Sequence, residues 1–168
     1  MLQTELLHTL ALLKVEGIGD VVAKKLITHC GSAQNVFQSK KKALLAIEGV
    51  GEILFKKLQE KNVFQLAENE LRFIEKENIS YSYFQDENYP ERLKHCIDGP
   101  VILFECGTID LQNRKLINIV GTRQITPYGI EFTKKLITDL APLNPVIVSG
   151  FAYGVDIVAH QTAMEHNL

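Results

Sequence analysis

No apolar run in this sequence approaches the roughly 18 to 20 residues that a membrane-spanning helix needs. A secretory leader is missing as well. The opening segment MLQTELLHTLALLKVEG carries Glu5 where such a leader has positive charge, and no small-residue cleavage site comes after it. The expectation is a cytoplasmic protein with no membrane partner. Cysteine is scarce: Cys30, Cys96 and Cys106 are widely spaced and odd in number. No Cys-x-x-Cys pair exists, and His29-Cys30 and His95-Cys96 lack the ligand spacing of a zinc site. No metal is expected, and the thiols read as reduced and buried. An excess of basic charge is lacking too. The formal net charge is −2, and division at Asn78 leaves 11 basic against 10 acidic residues before it and 7 against 10 after it. No global field draws in nucleic acid, so any such role rests on a local site. What is present is an ordinary globular composition, 46% hydrophobic and 23% charged, in 168 residues that suffice for one medium domain or two small ones.

The first 78 residues read as helices. Leu6, Leu7, Leu10 and Leu13, then Val21, Val22 and Leu26, recur at the three- and four-residue steps of a buried helical stripe. Asn62 to Asn78 continues it with Phe64, Leu66, Ala67, Leu71 and Ile74. The texture then changes. Ile79 to Phe84 is short, aromatic and β-branched, and Pro90 and Asp98-Gly99-Pro100 break the chain again. From there strands are predicted at Val101–Glu105, Leu116–Val120 and Val146–Val148, with helices over Pro127–Leu140 and from about Tyr153. Strand-helix-strand order predicts a parallel α/β sheet. The domain boundary is placed between Asn78 and Asn88, giving domains 1–78 and 79–168.

The first domain contains a repeat. Val15-Glu-Gly-Ile-Gly-Asp-Val-Val-Ala-Lys-Lys-Leu26 aligns without a gap to Ile47-Glu-Gly-Val-Gly-Glu-Ile-Leu-Phe-Lys-Lys-Leu58. This resembles a tandem helix-hairpin-helix, SAM-like module. Gly17 and Gly19, like Gly49 and Gly51, permit a tight hairpin whose backbone N–H groups can meet a phosphate. Glu16, Asp20, Glu48 and Glu52 flank these hairpins and oppose an anion, although they favour the adjoining helix starts. Lys24 and Lys56 lie a turn later and offset them in part. Both readings stand: a structural or protein-docking element, or secondary DNA contacts through Gly17, Gly19, Lys24, Gly49, Gly51 and Lys56. The run Lys40-Lys41-Lys42 reads as a solvated helix start.

Two glycine turns carry the chemistry of the second half. Ile117-Asn-Ile-Val-Gly-Thr-Arg123 ends a strand at Gly121, and Val146-Ile-Val-Ser-Gly150 ends another before Phe-Ala-Tyr-Gly-Val-Asp156 and Ala159-His160. Ligands of open α/β sheets collect at such strand ends. Gly121 and Gly150 admit an anion close to backbone N–H groups, Thr122 and Ser149 add hydroxyls, and Arg123 adds a guanidinium fork suited to phosphate. The G-x-G-x-x-G fingerprint and the G-x-x-x-x-G-K-[ST] loop are both absent. That disfavours an NAD enzyme or a P-loop ATPase, and no cofactor is expected.

The order Asn88-Tyr-Pro-Glu-Arg-Leu93, Gly99-Pro-Val-Ile-Leu-Phe104, Cys106-Gly107, Val120-Gly-Thr-Arg123, Tyr128-Gly129 and Ser149-Gly-Phe-Ala-Tyr-Gly-Val-Asp-Ile-Val-Ala-His160 resembles the DNA-processing protein A (DprA/Smf) family. The resemblance covers essentially the whole chain and implies an α/β protein: the all-helical tandem helix-hairpin-helix domain followed by a Rossmann-like parallel sheet. It implies a non-enzymatic protein of natural transformation and recombination that binds and protects incoming single-stranded DNA, loads the recombinase RecA, and forms a homodimer when complete. It assigns Gly121, Thr122 and Arg123 to the DNA pocket and Ser149, Gly150 and Gly154 to a second phosphate-cradling loop. Asp156 and His160 read as structural polar groups tying a helix to the neighbouring strand. Two alternatives are a Rossmann-like nucleotide-processing enzyme of the phosphoribohydrolase kind, whose glutamate-rich stretch is missing here, and a protein-interaction module acting through the helical repeat. Three or four strands are identifiable where a doubly wound sheet has about five or six. The expectation is therefore an incomplete sheet, from a fragment or a truncated gene, with an exposed edge and an uncovered apolar face that weaken the second domain.

Overall fold

The computed structural model describes residues 3–60, 62–111 and 113–168. The chain forms two compact units, 1–107 and 108–168. The first unit opens with α1 (Gln3–Leu13), α2 (Asp20–Cys30), α3 (Ala33–Gln38), α4 (Lys41–Leu45), α5 (Glu52–Leu58) and α6 (Asn62–Lys76). Leu6, Leu10, Ala11 and Leu12 of α1 meet Ala23, Leu26 and Ile27 of α2 and Val63, Ala67 and Ile74 of α6 in one buried core. Local chemistry sets the joints. Gly31 ends α2 in the left-handed region at φ +87°, where its N–H reaches the Ile27 carbonyl. Ser32 then caps α3 by accepting from the Asn35 N–H at 3.0 Å. The Glu5 carboxylate, from α1, accepts from the Ala33 and Gln34 N–H groups and so holds the same helix start.

The two repeat copies have one geometry. Ile18 N–H donates to the Val15 carbonyl at 3.0 Å, and Val50 N–H to the Ile47 carbonyl at 3.0 Å. Gly17 and Gly49 stand at φ +90° and +87°, the left-handed region that glycine occupies at no steric cost. Val15, Ile18, Ile47 and Val50 are all buried, so the hairpins are seated in the core by their apolar residues.

Strands β1 (Ser80–Tyr83) and β2 (Ile102–Glu105) pair antiparallel, with Tyr83 opposite Ile102, and α7 (Glu91–Lys94) lies between them in sequence. The segment Val101–Glu105 is thus not a strand of the parallel sheet. Tyr83, Val101 and Ile102 join the helical core, and the Val101 N–H donates to the Asp20 carboxylate at 2.8 Å. These contacts carry the first compact unit through Gly107, well past the change of texture at Asn78. The expectation of three buried thiols is also corrected: Cys30 is half-buried, while Cys96 and Cys106 are exposed.

The second unit has β3 (Leu116–Asn118), α8 (Pro127–Leu140), a short 3-10 turn at Ala141–Leu143, β4 (Val146–Val148) and α9 (Val155–Glu165). β3 and β4 pair in parallel, Leu116 opposite Val146, which bears out the strand-helix-strand reading. Thr126 caps α8 by accepting from Gly129 N–H at 3.1 Å, with Pro127 in its first turn. Helices α8 and α9 pack together, and Ile119, Ile137, Ala159 and Ala163 form a small core with Ile117 and Ile147 beside it. Phe132, Leu143 and Met164 remain exposed. No helix among the described residues is long and apolar enough to cross a membrane.

Tyr83 is the one strained polar feature of the helical core among the described residues. Its side chain is buried and its hydroxyl finds no hydrogen-bond partner there, the nearby Thr9 hydroxyl donating instead to the Glu5 carbonyl at 2.8 Å. Burial first, then the charges of Glu5 and Asp86, raise the phenol above its ordinary pKa of 10.0. As pH rises past about 10 the unfolded chain therefore loses this proton first, and folding stability falls. Tyr83→Phe is expected to leave the fold unchanged or up to about 1 kcal/mol more stable at neutral pH. Urea unfolding between pH 7 and 11 should show a smaller alkaline loss in the variant than in the parent. An equal loss in both proteins would contradict the assignment.

Candidate nucleic-acid interface

The site lies at the C-terminal ends of β3 and β4. The Ile119 N–H donates to the Val148 carbonyl at 2.9 Å, extending the parallel pairing by one step. Ser149 closes it: its Oγ donates to the Ile119 carbonyl at 2.7 Å. The hydroxyl proton expected to face a phosphate is thus committed to joining the two strand ends.

Beyond them, the loops 120–126 and 149–154 meet. Gly154 has φ +84°, and a Cβ built there would lie 2.7 Å from the Arg123 oxygen and closer still to the Thr122 carbonyl. A Cβ on Gly121 would lie 2.7 Å from that of Val155. The Val155 N–H, the first of α9, donates to the Thr122 carbonyl at 3.2 Å. The two glycine turns are therefore brought together, but part of the α9 terminus is occupied by the chain itself. Among the described residues, the backbone N–H groups of Gly121, Arg123, Gly150 and Phe151 make no hydrogen bond.

Thr122 Oγ1 accepts from the Gln124 N–H at 3.1 Å, which tightens the turn and leaves the side chain exposed. Arg123 is exposed and, among the described residues, makes no hydrogen bond or ion pair. Asp156 is only 7% exposed, and a Cβ on Gly150 would fall 2.7 Å from its Oδ2. His160 Nε2 lies 3.2 Å from the Gly150 carbonyl. Both polar side chains thus lie against Gly150 of the second loop, and the His160 ring stands 6.1 Å from that of Phe151.

Sequence reasoning passed over the aromatic residues here. Phe151 and Tyr153 are almost wholly exposed at the tip of the second loop, and Tyr128 and Phe132 on α8 stack at 6.2 Å between ring centroids. Exposed rings beside an unpaired guanidinium suit flat, anionic ligands. The signal was available as four aromatic residues close in sequence to the two glycine turns. A groove of about 400 Å³ runs beside them, lined by Val120, Thr122, Tyr128 and Phe132.

The helical candidates are arranged differently. Gly17, Gly49 and Gly51 line one shallow groove of about 470 Å³ together with Glu16, Glu52 and Lys57. Glu16 pairs with Lys57 at 2.8 Å, and Lys41 with Glu52 at 2.7 Å. The hydrogen bond from Lys57 and then its charge hold the Glu16 carboxyl below its ordinary pKa. Gly19 begins α2 without a side-chain cap, and Lys56 makes no ion pair among the described residues. Lys24 points elsewhere, donating to the Cys96 carbonyl at 3.3 Å and lying 5.8 Å from the Phe84 ring centroid. No group of three or more His, Cys, Asp or Glu side chains among the described residues is arranged to hold a metal ion.

The family profile described as DNA recombination-mediator protein A matches residues 80–168, and that described as a SAM-like helix-hairpin-helix tandem matches residues 9–61. Protein Smf of Synechocystis sp. is 29% identical, the match covering 99% of this chain and 43% of that protein. The DNA processing protein DprA of Streptococcus pneumoniae is 37% identical over 48% of this chain and 28% of its own length. That of Bacillus subtilis is 33% identical over 54% and 31%. The chain thus spans less than half the length of these curated relatives. The X-ray structure of DNA processing protein A from Streptococcus pneumoniae superposes with a TM-score of 0.63 at 26% identity, covering 96% of this chain and 54% of that one.

The close approach of Gly154 yields a direct test. Gly154→Ala is expected to destabilise the second unit by about 1–3 kcal/mol from backbone strain alone, with further loss from the clash against residues 122 and 123. Gly19→Ala, where φ is −94° and nothing lies within 4 Å of the new Cβ, should cost less than about 1 kcal/mol. Hydrogen exchange would place the first loss in residues 108–168. Equal costs at the two positions would refute the packing described.

Proposed function

Because the chain belongs to the DNA recombination-mediator protein A family, we propose that its 121–123 and 149–154 loops grip the phosphates of single-stranded DNA. The observation that carries this reading is the meeting of two glycine turns around an unpaired Arg123, with exposed Phe151 and Tyr153 alongside. The guanidinium and the unbonded N–H groups of Gly121, Arg123, Gly150 and Phe151 supply phosphate donors, and the rings supply sequence-tolerant stacking. Thr122 shapes the first turn, while Ser149 holds the strand ends beneath it. Asp156 and His160 support the second loop. The absence of the glutamate-rich stretch of the phosphoribohydrolase kind after the second glycine turn favours binding over hydrolysis, and on this reading the protein acts without a catalytic group or cofactor.

In the whole protein this grip protects incoming DNA during natural transformation and presents it to RecA, with homodimerisation completing the assembly, in the cytoplasm. Those partners follow from the family resemblance. The same reading divides the whole protein into a helix-hairpin-helix domain, 1–78, and a DNA-binding domain beginning at residue 79.

Labelled oligothymidine titrated into the chain and into Arg123→Ala at two salt concentrations tests the proposal. Hydrogen bonds to charged groups contribute about 1.5–3 kcal/mol, so the variant should bind about tenfold or more weakly. Its salt dependence should also be shallower, because one phosphate contact is lost. Unchanged affinity would remove Arg123 from the interface.

A further inference from the structure

One wide groove belongs to neither glycine turn. It lies within the helical unit, between α2, the second hairpin and the α7 turn, and is an open groove of about 980 Å³. That volume is at the upper end of the range of small-molecule sites. Its cationic side is formed by Lys24 and Lys25 of α2 with Lys94 of α7, and His29 stands one turn beyond. Its apolar side is Val21, Ile47, Phe84 and Ile97, with the buried Tyr89 ring behind.

Lysines without a carboxylate partner occur elsewhere among the described residues, at Lys40, Lys42, Lys56, Lys115 and Lys134, but here two of them, Lys24 and Lys25, line one groove. Lys14, Lys41, Lys57, Lys76 and Lys135 each face a carboxylate. Lys94 pairs with the exposed Glu91, at 3.2 Å. Lys24 is held instead by two neutral groups, the Cys96 carbonyl and the Phe84 ring, so its position is fixed while its charge stays uncompensated. Lys25 makes no ion pair or hydrogen bond among the described residues. Glu48 is the one carboxylate among the described lining residues, against three lysines. Next to Cys96, whose carbonyl takes the Lys24 bond, Ile97 is 79% exposed, an apolar side chain left in water.

We propose that this cavity binds a nucleoside phosphate, with the phosphate at Lys24 and Lys25 and the base against Phe84 and Ile97. A bare phosphate would leave the apolar wall in water, and a hydrocarbon would leave two uncompensated ammonium groups facing it. A flat ring joined to a dianion satisfies both walls at once. The ligand is a free nucleotide or one nucleotide of a strand, and the chemistry at the wall is common to both.

Amide NMR of the chain titrated with thymidine monophosphate, inorganic phosphate or thymidine tests this. Thymidine monophosphate should shift the Lys24, Lys25, Phe84 and Ile97 signals and saturate, with phosphate and thymidine each at least about tenfold weaker. Lys25→Glu, at an exposed position, should fold normally and weaken the nucleotide by about tenfold or more. Oligothymidine added to the Arg123→Ala chain separates the two sources: shifts in the cavity assign it a nucleotide of a strand, and their absence beside a thymidine monophosphate response assigns it a free nucleotide. That arm is independent of the Arg123 grip, so either site can fail alone. A nucleotide that shifts only signals outside the cavity, or that binds Lys25→Glu as tightly as the parent, would overturn the proposal.

Discussion

The missing side chain of Gly154 governs the second unit. Its backbone lies against the Thr122 carbonyl and Arg123 at a separation no Cβ permits, in a left-handed conformation that other residues resist. That approach sets the hydrogen bond from Val155 N–H to the Thr122 carbonyl and the direction in which α9 leaves the sheet. It also keeps Arg123 on an exposed turn rather than folded back onto a partner. Gly121 and Gly150 repeat the logic at smaller scale, making room for Val155 and for the Asp156 carboxylate. Three glycines thus convert two strand ends into a single surface.

The helical unit uses its glycines for another end. Gly17 and Gly49 turn the hairpins so that Val15, Ile18, Ile47 and Val50 reach the core, and the groove between the copies is edged by Glu16 and Glu52. Each of these carboxylates takes a lysine: Glu16 takes Lys57, and Glu52 takes Lys41 of the run read as a solvated helix start. Asp20 holds Val101 from the first turn of α2, an acid at a positive helix end bonding a backbone donor from distant sequence. The first hairpin therefore organises its own unit.

Much of the fold is readable from the sequence where local chemistry decides. Helix α8 starts at Pro127 behind the Thr126 cap and ends at Leu140, and β4 occupies Val146–Val148, both as the pattern predicts. The tandem repeat is visible because apolar seat, glycine pair and helix recur at matched positions. The partner of Val101–Glu105 is not readable, since a short apolar run has the same pattern in a parallel sheet or an antiparallel hairpin. A contact to Asp20, 81 residues away, decides it. The bond from Ser149 to Ile119 is equally hidden, because it depends on the register of two strands. The glycine pattern marks the site, but which donors stay open in it is a tertiary property.

Charge completes the account. A formal net charge of −2 excludes a long-range field but says little about local potential, because the two signs are handled differently. Carboxylates here are drawn into internal work: Glu5 holds the start of α3, Asp20 accepts from the Val101 N–H just before β2, Asp156 is buried beside Gly150, and Glu16, Glu52 and Glu70 pair with lysines. Among the cations left without a carboxylate in the described residues are Lys24, Lys25 and Arg123. Each stands beside exposed or cavity-lining aromatic and apolar surface rather than alone in water. An anion carrying a flat ring gains from both features at these places. A balanced composition therefore does not argue against the proposed nucleic-acid contact, because local charge and net charge are set by different residues.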